Sequence, residues 1–326
     1  MIFKKIISDW TYLYNSDDSA HTKFEIIDPK KISKPKTLFK YYKLNDNALD
    51  GLYHNYLYAT DPSRFNDLYD CYHEILSAEK EFMFRYMDNY IGYEKAKSNH
   101  SKDPVNFEEA FKLFLKADIF RSYGIVSFTD SIDNVLLWSY YSDNRGFAIE
   151  YDYSFFQFKF HGPFFMNYKS SFENSFTIKA NEDKELMTLY LSNIKNVEWR
   201  HENEWRIIIE APEKQKMFTQ TIDQLKVLGG HNRKFNYPKE AIKSVSLGNH
   251  FFEPKELRIE EDRNLTIQLV ENENIEKKSK ILDYLASNDI LTKIICRDTV
   301  NNQFKLRFNE GRIFKEIGKE NRYRFI

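Results

Sequence analysis

The stretch from about residue 72 to 120 sets the terms for the fold. Its apolar residues recur at three- and four-residue steps, as in Phe82, Phe84, Met87 and Tyr90 and again in Phe107, Ala110, Phe111 and Phe114. That is the spacing of an amphipathic helix. The polar segment 98-SNHSKDP-104 predicts a break into two helices. Strand-like runs flank the tract, 37-TLFKYYKL-44 before it and 123-YGIVSFT-129 after it. Helices and strands alternate irregularly, with many helices between the early strands, which argues against a repeating βαβ barrel. The expected class is α+β, a mixed and largely antiparallel sheet with inserted helices.

The remaining pattern supports that class. Residues 46–60 read as a helix and a short strand, followed by a turn at Asp61-Pro62. A short helix is expected over 133–143, with Asp133 or Ser131 as its N-cap. Further strands are expected at 147–152, 164–170, 205–210, 242–248, 265–270, 292–296 and 303–308, with helices over 181–196 and 273–288. Residues 1–36, ending in 29-PKKISKPK-36, read as an arm or connector, 37–310 as a single domain and 311–326 as a tail.

Composition narrows the function classes. Among 326 residues, 28 Phe and 22 Tyr supply a substantial core, which a disordered chain lacks. Only 10 glycines occur, and no Gly-rich phosphate loop is among them. The 48 basic and 49 acidic residues give a net charge of −1, so no global field draws the chain to nucleic acid or to an anionic membrane. The basic-aromatic stretch 36-KTLFKYYK-43 leaves a local nucleic-acid surface open. Two cysteines, Cys71 and Cys296, fit a reducing compartment. No apolar run approaches ~18 residues, so no transmembrane helix is expected. The expectation is a soluble, cytoplasmic protein.

Chemistry concentrates in 198-EWRHENEWRIIIE-210. If Glu202 and Glu204 lie at i and i+2 of one strand, both carboxylates project from one face, roughly 6.5–7 Å apart. Such a pair repels unless a cation or a hydrogen-bonding group sits between its members. It suits holding a hydroxyl or guanidinium, or stabilising positive charge that develops on a sugar ring. The plainer alternative has both residues facing solvent and paired with Arg200 and Arg206. Trp199 and Trp205 argue for a concave, partly buried site. Ser127 and Thr129 also share a strand face, with Trp138, Tyr140 and Tyr141 on the helix that follows. His201-Glu202 opens an H-E-x-x-H pattern that Trp205 fails to complete, so no metal site is expected. Asp67, Asp70 and Glu74 leave a metal-dependent nuclease as a third-ranked reading.

Taken in order, 38-LFKYY-42, 65-FNDLYD-70, 127-SFT-129, 137-LWSYY-141, 146-GFAIEYD-152, 202-ENEWR-206 and 247-LG-248 resemble the bacterial family called domain of unknown function 2971. The chain departs from that family's pattern at Leu68, where proline is usual, and at Tyr140, where histidine is usual. The order of a basic-aromatic strand, a Ser-x-Thr strand and an E-x-E strand resembles, more distantly, the ADP-ribosyltransferase fold. That resemblance implies NAD as substrate. Lys40 and Tyr41 would hold it, Ser127, Thr129 and Trp138 would shape its pocket, Glu204 would be catalytic and Glu202 would orient the acceptor. Lysine at the first of these places lacks the guanidinium fork. The implied activity is ADP-ribosyl transfer to an unknown macromolecular acceptor, or NAD hydrolysis, in an intracellular toxin or phage-defence effector. The alternative is a non-enzymatic module that senses a nucleotide or a partner protein.

Overall fold

Two breaks, rather than one, divide the long helical tract. Gly92 adopts φ 87°, a conformation that glycine reaches without steric cost. Asp103 then caps a new helix whose first residue is Pro104, where the missing N–H costs nothing. Three helices result, Lys80–Ile91, Tyr93–Lys102 and Pro104–Ser122. The stretch expected as a loop around 98–102 is helical, because Ser98, Asn99, Ser101 and Lys102 are the exposed face of the middle helix while His100 turns inward.

The computed structural model of the protein describes residues 1–7, 9–17, 24–156, 161–171, 176–210, 233–260, 264–297 and 305–326. It confirms the α+β class, with mixed, largely antiparallel sheets. The chain forms two compact units. One comprises Met1–Lys34, Tyr58–Ser127 and Phe156–Lys234, and the other Pro35–Leu57, Phe128–Phe155 and Phe235–Ile326. Among the described residues, no helix is long and apolar enough to cross a membrane.

In the first unit, the stretch expected as an arm holds a three-stranded antiparallel sheet, Ile2–Ile7, Trp10–Asn15 and Phe24–Ile27. Tyr12 and Phe24 from this sheet enter a large aromatic core with Phe111, Tyr123 and Tyr190. The helix Glu185–Asn193 is buried at every position. Its last residue, Asn193, accepts a 3.1 Å hydrogen bond from the Tyr12 hydroxyl. The strand Glu204–Glu210 pairs antiparallel with His161–Phe165. Its other neighbour is the strand Tyr123–Thr129, of which residues up to Ser127 belong to this unit. Ile207, Ile208 and Ile209 are all buried, as expected of the apolar run.

The second unit is built on the strand Phe147–Asp152. It pairs antiparallel with Thr37–Tyr42 on one side and with Ile242–Leu247 on the other. Ile242–Leu247 runs parallel to Leu291–Arg297, and the helix Ile275–Ser287 falls between them in the chain. Leu306–Gly311 pairs antiparallel with Leu291–Arg297. The stretch expected as a C-terminal tail supplies the strands Ile313–Lys315 and Arg322–Phe325 to a separate four-stranded sheet. The short helix Val135–Ser142 is capped by Asn134, not by Asp133 or Ser131. The Asn134 side chain accepts from the backbone N–H groups of Leu136 and Leu137.

Candidate functional site

The two motif glutamates come from different elements. Glu202 ends the 3-10 helix Val197–Glu202, and Asn203 then turns through the left-handed region at φ 43°, ψ 51°. Asparagine tolerates that conformation better than most side chains. The strand begins only at Glu204. Period-two spacing therefore does not relate the two carboxylates, although they still converge. Lys195 donates from its Nζ to Glu202 Oε2 at 2.5 Å and to Glu204 Oε2 at 2.7 Å.

Arg206 does stand at i+2 from Glu204 on the strand, and it closes the other side. Its Nε donates to Glu204 Oε1 at 2.6 Å and its Nη2 to Glu204 Oε2 at 3.2 Å. The same guanidinium grips both oxygens of Asp70, with Nη1 to Oδ1 at 2.8 Å and Nη2 to Oδ2. A further Nη1 bond reaches the Ser192 carbonyl at 3.1 Å. This fork of parallel bonds is what arginine provides and lysine cannot. Phe65 lies under the guanidinium, 5.0 Å away, and Trp199 lies against the Lys195 ammonium at 5.1 Å. The Glu204 backbone N–H donates to the Tyr168 hydroxyl at 2.8 Å.

All five charged groups are buried, Glu204 at 3% exposure and Arg206 at 2%. Burial alone would push the Glu204 carboxyl up. The charges of Arg206 and Lys195 outweigh it and hold the group at about 2. Burial likewise pulls the Arg206 guanidinium and the Lys195 ammonium down, and the surrounding carboxylates more than reverse this, raising both. Glu204, Arg206 and Lys195 therefore stay ionised across the physiological range. Among the described residues, three formally charged carboxylates face two cations. Cys71, next to Asp70 in the chain, is pushed well up by burial and by that carboxylate, which leaves its thiol protonated and unfit as a nucleophile.

The sequence required a cation or a hydrogen-bonding group between Glu202 and Glu204, and offered Arg200 and Arg206 only as partners of solvent-facing glutamates. Arg206 does pair with Glu204, but in a buried setting, and the group between the two carboxylates is Lys195, which the spacing did not reveal. The available signal was a lysine closing the buried apolar run 186-LMTLYLSNIK-195. Asp70 stood out only as a turn-capping residue or, with Asp67 and Glu74, as a candidate metal ligand. In the metal reading it would need free oxygens, but Arg206 takes both. Among the described residues, no three His, Cys, Asp or Glu side chains are arranged to hold a metal ion.

The other expected site residues divide between the units. Ser127 is half-buried in the first unit, on the strand beside that of Glu204. Lys40, Tyr41, Thr129 and Trp138 belong to the second unit, where Tyr41, Thr129 and Trp138 gather around the loop at Ser131 and Ile132 and Lys40 does not join them. Tyr41 packs edge-on against Trp138 at 4.9 Å and donates to the carbonyls of Ser131 and Ile132 at 3.0 and 3.1 Å. Trp138 donates from its indole to the Ile132 carbonyl at 2.8 Å and is 2% exposed. Thr129 accepts from the Ser131 N–H at 3.1 Å. These bonds tie down the loop after the strand, so Trp138 is a core residue rather than an open pocket wall. Lys40 lies against the rings of Tyr42 and Phe128, at 5.7 and 6.0 Å.

No family model, no curated protein and no solved structure matches this chain.

Proposed function

We propose that the protein is a binding or sensor module without catalysis at its E-x-E motif, and that it belongs to the domain of unknown function 2971 family it resembles. The observation that carries this reading is the occupation of Glu204. Both of its carboxylate oxygens accept from Arg206, one also accepts from Lys195, and the side chain is buried. A transferase glutamate must accept a ribose hydroxyl and face the charge that develops on the ribose as nicotinamide leaves. Glu204 would first have to give up two charge-assisted partners in a buried setting, where breaking one pair costs about 3–5 kcal/mol. The ligand is a small molecule or a partner protein, bound elsewhere on the chain.

The test is incubation of the purified protein with labelled NAD, comparing wild type with Glu204→Gln. The expected result is no nicotinamide release and no label transfer from either, with a lowered unfolding midpoint for the variant. Nicotinamide release by wild type that disappears in a folded Glu204→Gln protein would overturn the reading in favour of an ADP-ribosyltransferase or NAD glycohydrolase.

A further inference from the structure

The second unit carries a cavity of about 670 Å³, within the range of roughly 300–1,000 Å³ typical of small-molecule sites. Its walls come from the residues after the strand Thr37–Tyr42, the turn 143–145, the loop 250–254 and the segment 272–278 at the start of the helix Ile275–Ser287. Two glycines bring these pieces together. A Cβ on Gly146 would lie 1.9 Å from the Tyr42 carbonyl oxygen, and one on Gly248 would lie 2.4 Å from that of Asn144. The Gly248 N–H donates to Gly146 O at 2.9 Å, and the His250 N–H donates to Asn144 O at 2.8 Å. The turn that bears Arg145 is thereby laced to the loop that bears His250.

Five formally charged side chains line this cavity, and three are already compensated. Asp143 pairs with Lys43 at 3.1 Å. Glu253 pairs with Lys255 at 3.1 Å and accepts from the Asn272 amide at 3.2 Å. Lys278, buried, pairs with Glu256 at 2.8 Å. Arg145 and Glu273 are exposed and differ from these. Among the described residues the Arg145 guanidinium has no partner, and the Glu273 carboxylate receives only the Asn274 amide, at 3.3 Å. Opposite charges thus line one concavity and do not pair with each other. Leu44, Phe252 and Pro254 add apolar wall.

An anion alone would meet Glu273, and a cation alone would meet Arg145. A ligand with both charges satisfies both. We propose that this cavity binds a zwitterionic small molecule of amino-acid or short-peptide type, its carboxylate on Arg145 and its ammonium on Glu273. Arg145 offers the bidentate fork that matches a carboxylate, and His250 adds a ring nitrogen on the same rim. This inference rests on the binding-module reading above.

The test is calorimetric titration of the full chain with the tripeptide Ala-Phe-Ala, its N-acetylated form and its C-terminal amide. The free tripeptide is expected to bind, and each blocked form to bind about tenfold more weakly or worse, since a charge-assisted bond is worth ~1.5–3 kcal/mol. In Arg145→Ala the tripeptide and its amide become equal, and in Glu273→Ala the tripeptide and its acetylated form become equal. Absence of binding by the free tripeptide, or equal affinity in wild type and both variants, would overturn the site. NAD turnover would overturn the reading beneath it without altering the tripeptide titrations, so the two failures are distinguishable.

Discussion

Two charged regions, one in each unit, have opposite characters. In the first unit, Asp70, Lys195, Glu202, Glu204 and Arg206 are buried and spend their hydrogen bonds on one another. At the cavity of the second unit, Arg145 and Glu273 stay exposed and apart while their charged neighbours are paired. The first arrangement holds the chain together. The second leaves charge available to something else. A charged motif beside tryptophans is therefore not evidence of a site until its partners are counted, and the plainer stretch around Asn144-Arg145-Gly146 is the better candidate for recognition.

The largest expected effect comes from opening the closed network. Arg206→Met leaves Asp70 and Glu204 buried without their shared cation and should cost about 3–5 kcal/mol, read as a lowered urea midpoint. Lys195→Met removes the cation that Glu202 and Glu204 share, and its cost should lie at the lower end of that range. If both variants unfold like wild type, the network does not hold the first unit together. In the second unit the sensitive element is backbone rather than charge. Gly146→Ala forces the turn away from Tyr42 and should cost about 1–3 kcal/mol, with loss of tripeptide binding. The smallest effect belongs to the open charge: Arg145→Ala should leave stability within about 0.5 kcal/mol of wild type. A large loss there would show that Arg145 is structural and would erase the contrast.

Much of this fold was legible in the sequence. The helical tract, the strands at 123–129, 147–152 and 242–247 and the buried isoleucines follow from periodicity and apolar runs. The terminal segments were not. Residues 2–7 alternate half-buried with exposed positions among two lysines and three isoleucines, a weak pattern that becomes a sheet only by pairing with Trp10–Asn15. The motifs were legible as motifs but not as roles. The glycines of 146-GFAIEYD-152 and 247-LG-248 record close backbone approach. The aspartate of 65-FNDLYD-70 records the grip of Arg206. Both depend on partners far along the chain, which spacing cannot supply. Glu202 and Glu204 were expected on one face and do meet at one cation, but through a 3-10 turn and a left-handed Asn203 rather than through strand geometry.

The network also has a pH signature. A carboxyl held below its unfolded value contributes stability that is complete above the unfolded pKa and is lost as pH falls through the folded one. For Glu204 that window runs from the ordinary 4.5 down to about 2. Wild type should therefore lose stability on acidification through this window, and Glu204→Gln should lose less.

The most direct measurement is the titration of the Glu204 side-chain carboxyl carbon by NMR in the folded protein. The account predicts that this carbon keeps its ionised chemical shift as pH is lowered through 4.5, because Arg206 and Lys195 hold the group at about 2. A midpoint at or above 4.5 would contradict it, and would return Glu204 to the role of an open, chemically available acid.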